Sequence, residues 1–190
     1  MTKIYNFKFK ILNFQKGFTL IEAVVATALF AFVVSSTLGV YLSTIQLDRK
    51  TRAQRAVAQN ARFILEYLVK EVRNGQIDYS RANNCVNSST VVCVINQAAE
   101  AEKISYDGSA NLVLTKNGSS TNLNSAAGKV ASCKFYLQPA GDPFTAAKTY
   151  SEQPRVTMTM GLISNYGSGP TDHATLNLET TFSPRYYPTR

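Results

Sequence analysis

Lys16-Gly17-Phe18-Thr19-Leu20-Ile21-Glu22 leads into AVVATALFAFVVSSTLGVYLSTIQL, residues 23 to 47. These 25 residues carry no charge, which is long enough to cross a bilayer core as one helix. Between Phe18 and Leu47 the single charge is Glu22. An ionisable side chain at membrane depth is costly and marks a functional position. Ahead of it, Lys3, Lys8, Lys10 and Lys16 stand in a stub with no acid.

Three readings of this start compete. A cleaved secretory signal needs a small-x-small site at the far end of the apolar run, and none is evident there. Ala26-Thr27-Ala28 would cut far too early. A plain uncleaved anchor leaves Glu22 without a purpose. A cut at Gly17, ahead of the apolar run, keeps the helix in the mature chain. It creates a positive α-amino group at Phe18, about one helical turn from Glu22. An isolated carboxylate in lipid needs a partner or a proton, and the N-terminal amine of a staggered neighbouring chain is such a partner.

The stretch KGFTLIEAVVATALFAFVV, within residues 16 to 35, resembles the N-terminal signature of type IV pilins and pseudopilins. The resemblance implies cleavage by prepilin peptidase between Gly17 and Phe18 and N-methylation of Phe18. It also implies that Glu22 acts in assembly. Expected partners are that peptidase, other pilin or pseudopilin subunits, an inner-membrane assembly platform and membrane lipid. The implied location is the inner membrane with an extracytoplasmic head, then a surface pilus or a periplasmic pseudopilus. Many major pilins carry a proline partway along this helix. Here none precedes Pro139, and Gly39 weakens the helix by roughly 1 kcal/mol relative to alanine.

Small residues recur every fourth position at Ala23, Thr27, Ala31, Ser35, Gly39 and Ser43. Such spacing lets membrane helices approach closely. Beyond the span, Ala53, Val57, Ala61, Ile64, Leu68 and Val72 mark one apolar face, widened by Leu65. Gly75 suits a C-cap, with Lys70 and Arg73 in the last turn. A helix from Phe18 to Asn74 would run roughly 85 Å at 1.5 Å per residue. Arg49, Lys50, Arg52 and Arg55 follow the span. They read as a solvated face or as contacts to acidic headgroups or acidic neighbours.

After Gly75 the pattern turns to period two, which indicates half-buried strands. Strands are expected at Thr90 to Ile95, Lys103 to Tyr106, Leu112 to Thr115, Ser119 to Leu123, Lys134 to Gln138, Arg155 to Ser164 and Ala174 to Phe182. Asp107-Gly108 and Asn117-Gly118 supply turns. The expected fold class is α+β: a long N-terminal helix packed on an antiparallel β-sheet head. Its divisions are a leader at 1–17, an apolar helix at 18–47, an amphipathic half at 48–75 and a β-rich head at 76–190. Loops 139–154 and 165–172 are rich in Gly, Pro, Ser or Thr, as recognition loops often are.

The net charge is +8, of which the leader supplies +4, leaving 8 − 4 = +4. That balance gives nucleic acid binding little support. Three cysteines, Cys85, Cys93 and Cys133, permit three single pairings. Cys85–Cys93 closes a short loop and is preferred, against a reading in which all three stay reduced. His173 is the one histidine, and no CxxC, HExxH, phosphate loop or Asp-rich calcium loop occurs. No catalysis, cofactor or metal is expected. The ending LNLETTFSPR resembles the last strand of J-type minor pseudopilins and related minor pilins. The expected function is a minor pilin or minor pseudopilin acting in initiation or at a fibre tip. The alternative is a pilus-borne adhesin or DNA-uptake subunit.

Overall fold

A computed structural model describes residues 17–79, 85, 88–144, 152–165, 169 and 173–185. The expectations for residues 1–16, and for much of the loops 139–154 and 165–172, lie outside these residues. The chain divides into two compact units, 1–44 and 45–190.

Among the described residues, the first unit holds the apolar start of α1 (Leu20–Asn74), as far as Thr44. Its side chains are exposed all round: Leu20, Phe30 and Phe32 each keep more than two thirds of their surface. A helix that is hydrophobic on every side is built for an apolar solvent. Its hydroxyls are already satisfied. Thr27, Ser35, Ser36, Thr37, Ser43 and Thr44 each donate to a carbonyl one turn earlier, at 2.8–3.0 Å. Such internal bonding removes the cost of bringing a hydroxyl into lipid. The helix runs on through Gly39 without a break.

The second unit begins with the amphipathic part of α1. Ala53, Val57, Ala61, Ile64, Leu68 and Val72 are all buried, and Leu65 is half-buried beside them. Asn60 shares this face and is also buried. α1 ends at Asn74, and Gly75 N–H donates to the Glu71 carbonyl at 2.9 Å. Gly75 is needed for space rather than for a left-handed turn, because a Cβ there would collide with the carbonyls of Ile95 and Glu71.

Eight strands follow among the described residues. β1 (Gln76–Ile77), β2 (Val91–Ile95), β3 (Ala101–Tyr106), β4 (Leu112–Lys116) and β5 (Ser119–Asn122) form one antiparallel sheet in chain order. β6 (Gly128–Gln138), β7 (Arg155–Ser164) and β8 (Thr175–Phe182) form a second. Among the described residues the head therefore holds two sheets where one was expected. β6 reaches the first sheet's loops through isolated bonds rather than a ladder. Val130 N–H donates to the Ala110 carbonyl, and Phe135 N–H to that of Ser89.

The β4–β5 turn places Asn117 and Gly118 both at positive φ (50° and 79°), as a tight two-residue hairpin requires. β5 is fully exposed and wholly polar, which suits a sheet edge. In β7, Val156, Met158, Met160 and Leu162 are buried against α1 and its neighbours. Each such side chain contributes roughly 1.5–3 kcal/mol on full burial.

β6 starts six residues before the expected Lys134. Its register shifts between Val130 and Ser132, so Ala131 is an extra residue. This bulge reverses the alternation: Val130 and Cys133, three apart, both face the core. The period-two signal is lost there, which hid the first half of the strand.

Candidate processing and assembly site

Thr19 precedes α1 and acts as its N-cap. The Glu22 N–H donates to Thr19 Oγ1 at 3.3 Å, and the Ala23 N–H donates to the Thr19 carbonyl at 3.2 Å. Thr19-x-x-Glu22 is thus a capping-box sequence with Glu22 at the third helical position. A carboxylate in the first turn is favoured by the positive end of the helix dipole. Gly17 and Phe18 lie just outside the helix and are exposed, Phe18 at 71 %. No side chain crowds Gly17, around which a Cβ would meet open space. The segment around the Gly17–Phe18 bond is therefore non-helical and accessible, and the helix starts two residues later.

Residues 12–38 match the family model for the prokaryotic N-terminal methylation motif. The chain carries the type IV pilin and pseudopilin signature. This supports a type IV pilin-like protein processed by prepilin peptidase, and the long apolar helix fits membrane anchoring. No curated protein and no solved structure matches the chain. The motif ends within α1, at residue 38, and does not reach the second unit.

In the head, Cys85 and Cys93 form a disulfide with Cα atoms 5.5 Å apart. Val92 and Val94 face the core, which turns Cys93 to the other side of β2, where Cys85 meets it. Cys133 is a free, buried thiol on the core side of β6. Burial pushes it up to about 12, so it is protonated and poorly nucleophilic at neutral pH. His173 is exposed just before β8. Among the described residues, no three of His, Cys, Asp or Glu come together where a metal could be held.

Sequence reasoning missed a polar network where α1 meets the first sheet. Glu102 on β3 is 2 % exposed. It accepts from Tyr67 Oη at 3.0 Å, Asn96 Nδ2 at 2.9 Å and Lys116 Nζ at 3.0 Å. A buried carboxylate is tolerable only when paired and bonded in this way. Lys116 Nζ also lies 2.6 Å from Glu100 Oε2. That ammonium, with the amides of Asn96 and Asn117, lowers Glu100 to about 2. Burial, and then the Glu102 carboxylate, raise Glu71 on α1. Tyr67 and Lys116 are both raised, Tyr67 by burial and its bond to Glu102, Lys116 by its bonds to Glu100 and Glu102. The signal available was alternation: Glu102 and Ile104 share one face of β3.

Asn60 was missed for a similar reason. It bonds the Ala56 carbonyl through Nδ2 at 3.0 Å and takes the Ser125 N–H on Oδ1 at 2.9 Å. It therefore ties the α1 apolar face to the turn before β6. Its place three residues after Val57 and four before Ile64 put it on that face.

Proposed function

We propose that the chain is a pilin-like structural subunit, a minor pilin or minor pseudopilin, added to a helical fibre through α1. The leader 1–17 is removed after Gly17 and Phe18 is methylated. Residues 18–47 then act as membrane and assembly helix, 48–75 as its amphipathic continuation, and 76–190 as the head. Glu22 would receive the methylated Phe18 amine of a neighbouring subunit, which offsets the cost of a carboxylate in lipid and sets a stagger. The observation that carries this reading is the methylation motif running into a helix that exposes apolar side chains on every side.

The Cys85–Cys93 disulfide supports an extracytoplasmic head, because such bonds persist in oxidising compartments. The charge pattern gives the DNA-uptake alternative little support: residues 56–190 contain 12 basic and 10 acidic residues, a net +2. Intact mass and N-terminal sequencing of the membrane protein test the processing step. A chain starting at methylated Phe18, lost in Gly17→Ala, is expected. An uncut N-terminus in the wild type would overturn the reading.

A further inference from the structure

Where the apolar segment ends, α1 carries a concentration of positive charge that the proposed assembly step does not use. Removing the leader and Glu22 leaves residues 48–190 with 8 − 4 + 1 = +5. Asp48, Arg49, Lys50, Arg52 and Arg55 supply −1 + 4 = +3 of that. All four basic side chains are exposed. Arg52 is engaged by Asp48 on the preceding turn, at 2.9 Å. Arg49, Lys50 and Arg55 have no acidic partner within ion-pair distance among the described residues.

The distribution of these charges around the helix distinguishes the occupants. At 100° per residue, Arg49, Lys50, Arg55 and Arg52 sit at about 0°, 100°, 240° and 300°, so no arc wider than about 140° lacks a charge. Ala53, at about 40° between Arg49 and Lys50, is buried in the head, so the charges flank that face and continue round the open sides. A neighbouring protein addresses one side of a helix, whereas headgroups meet every side that is open. Along the axis, Arg49 to Arg55 covers about 9 Å. The polar region on each side of the hydrocarbon core is about 5–8 Å deep. The ring begins two residues after Leu47, where the uncharged run stops. Lys and Arg can lay their stems along apolar surface and keep their heads in the polar layer.

We propose that Arg49, Lys50 and Arg55, with Arg52 beside them, form a girdle that binds anionic phospholipid headgroups where the helix leaves the membrane. The girdle fixes the depth of insertion and holds the head at the bilayer surface before assembly. The proposal rests on the reading of the apolar segment as membrane-spanning.

The test uses the full mature chain reconstituted in phosphatidylcholine bilayers. Association of spin-labelled phosphatidylglycerol is measured relative to spin-labelled phosphatidylcholine. The wild type is expected to favour phosphatidylglycerol by about fivefold, the factor one cation gains at an anionic surface. Added salt should reduce the preference. Arg49→Gln/Lys50→Gln/Arg55→Gln should bring the ratio near unity. Arg62→Gln/Lys129→Gln/Lys134→Gln, which removes three exposed charges elsewhere, should leave it unchanged. Equal ratios in the wild type and the girdle variant overturn the proposal. A girdle variant that keeps the lipid preference but loses assembly also overturns it, and redirects the charges to an acidic protein surface. Alkaline extraction of the wild type is measured first. A chain released from membranes overturns the spanning reading itself, and a retained chain with no lipid preference overturns the girdle alone.

Discussion

At the residue scale, Glu22 and Thr19 show two kinds of constraint meeting in one turn. Thr19 starts the helix by accepting the Glu22 N–H, and the proposed assembly contact uses the same residue's carboxylate. Glu22→Ala keeps that backbone bond, so α1 should form normally while fibre incorporation falls. Counting subunits in sheared fibres, with membrane levels as control, checks this expectation. Assembly equal to wild type would exclude the proposed role. Asn60→Ala is a purely structural counterpart. It leaves the Ser125 N–H without its acceptor and should cost roughly 1–3 kcal/mol, read from thermal or urea unfolding of the detergent-solubilised chain. Glu22 was legible because a charge in an uncharged run has no bland explanation. Asn60 was not, because an amide on an apolar face is recognisable only once its partner, 65 residues away, is known.

At the element scale, α1 was readable because its apolar positions repeat without interruption from Ala53 to Val72. β7 was readable in the same way. β6 was not, since the extra residue at Ala131 shifts the inward positions and breaks the alternation that sequence reading depends on. The β3–β4 hairpin carries its own acid sensitivity. Asp107 accepts the N–H groups of Ser109, Ala110 and Asn111 at 2.8–2.9 Å, and these bonds hold its carboxyl far below the usual range. Glu100 is likewise lowered, to about 2. A carboxyl lowered by folding stabilises the native state above its unfolded pKa, and that contribution is lost as pH falls through the folded value. Stability should therefore decline from about pH 4.3, the ordinary glutamate value, toward about pH 2. Glu100→Gln should flatten this decline, which acid unfolding curves of both proteins would show. Glu71 has the opposite sign: raised by burial and Glu102, its charged form opposes folding at neutral pH. Glu71→Gln should leave stability unchanged or higher at pH 7, and a marked loss would contradict the assigned cause.

On the scale of the whole molecule, the two units have surfaces suited to different solvents and rely on different forces. The head has an apolar core closed by α1, two sheets and one short covalent loop. Cys85→Ser with Cys93→Ser should lower its stability by about 2–3 kcal/mol, given the short loop closed. Cys133 should stay unlabelled by thiol reagents until the protein unfolds. Mass spectrometry after labelling, with and without denaturant, reads this directly. The division of the head into two sheets was beyond the sequence, because period two reveals which strands are half-buried but not which edges pair. The apolar unit, by contrast, was legible almost residue by residue, since its environment demands one property of every position. Its six inward-bonded hydroxyls carry a further consequence. A helix whose hydroxyls hold on to its own backbone presents like helices with a surface that slides, since no interchain polar bond must break for it to turn or advance. In the proposed fibre, registration then falls to the charged end of the helix. The remainder serves as a bearing, along which subunits could enter or leave the bundle at little enthalpic cost.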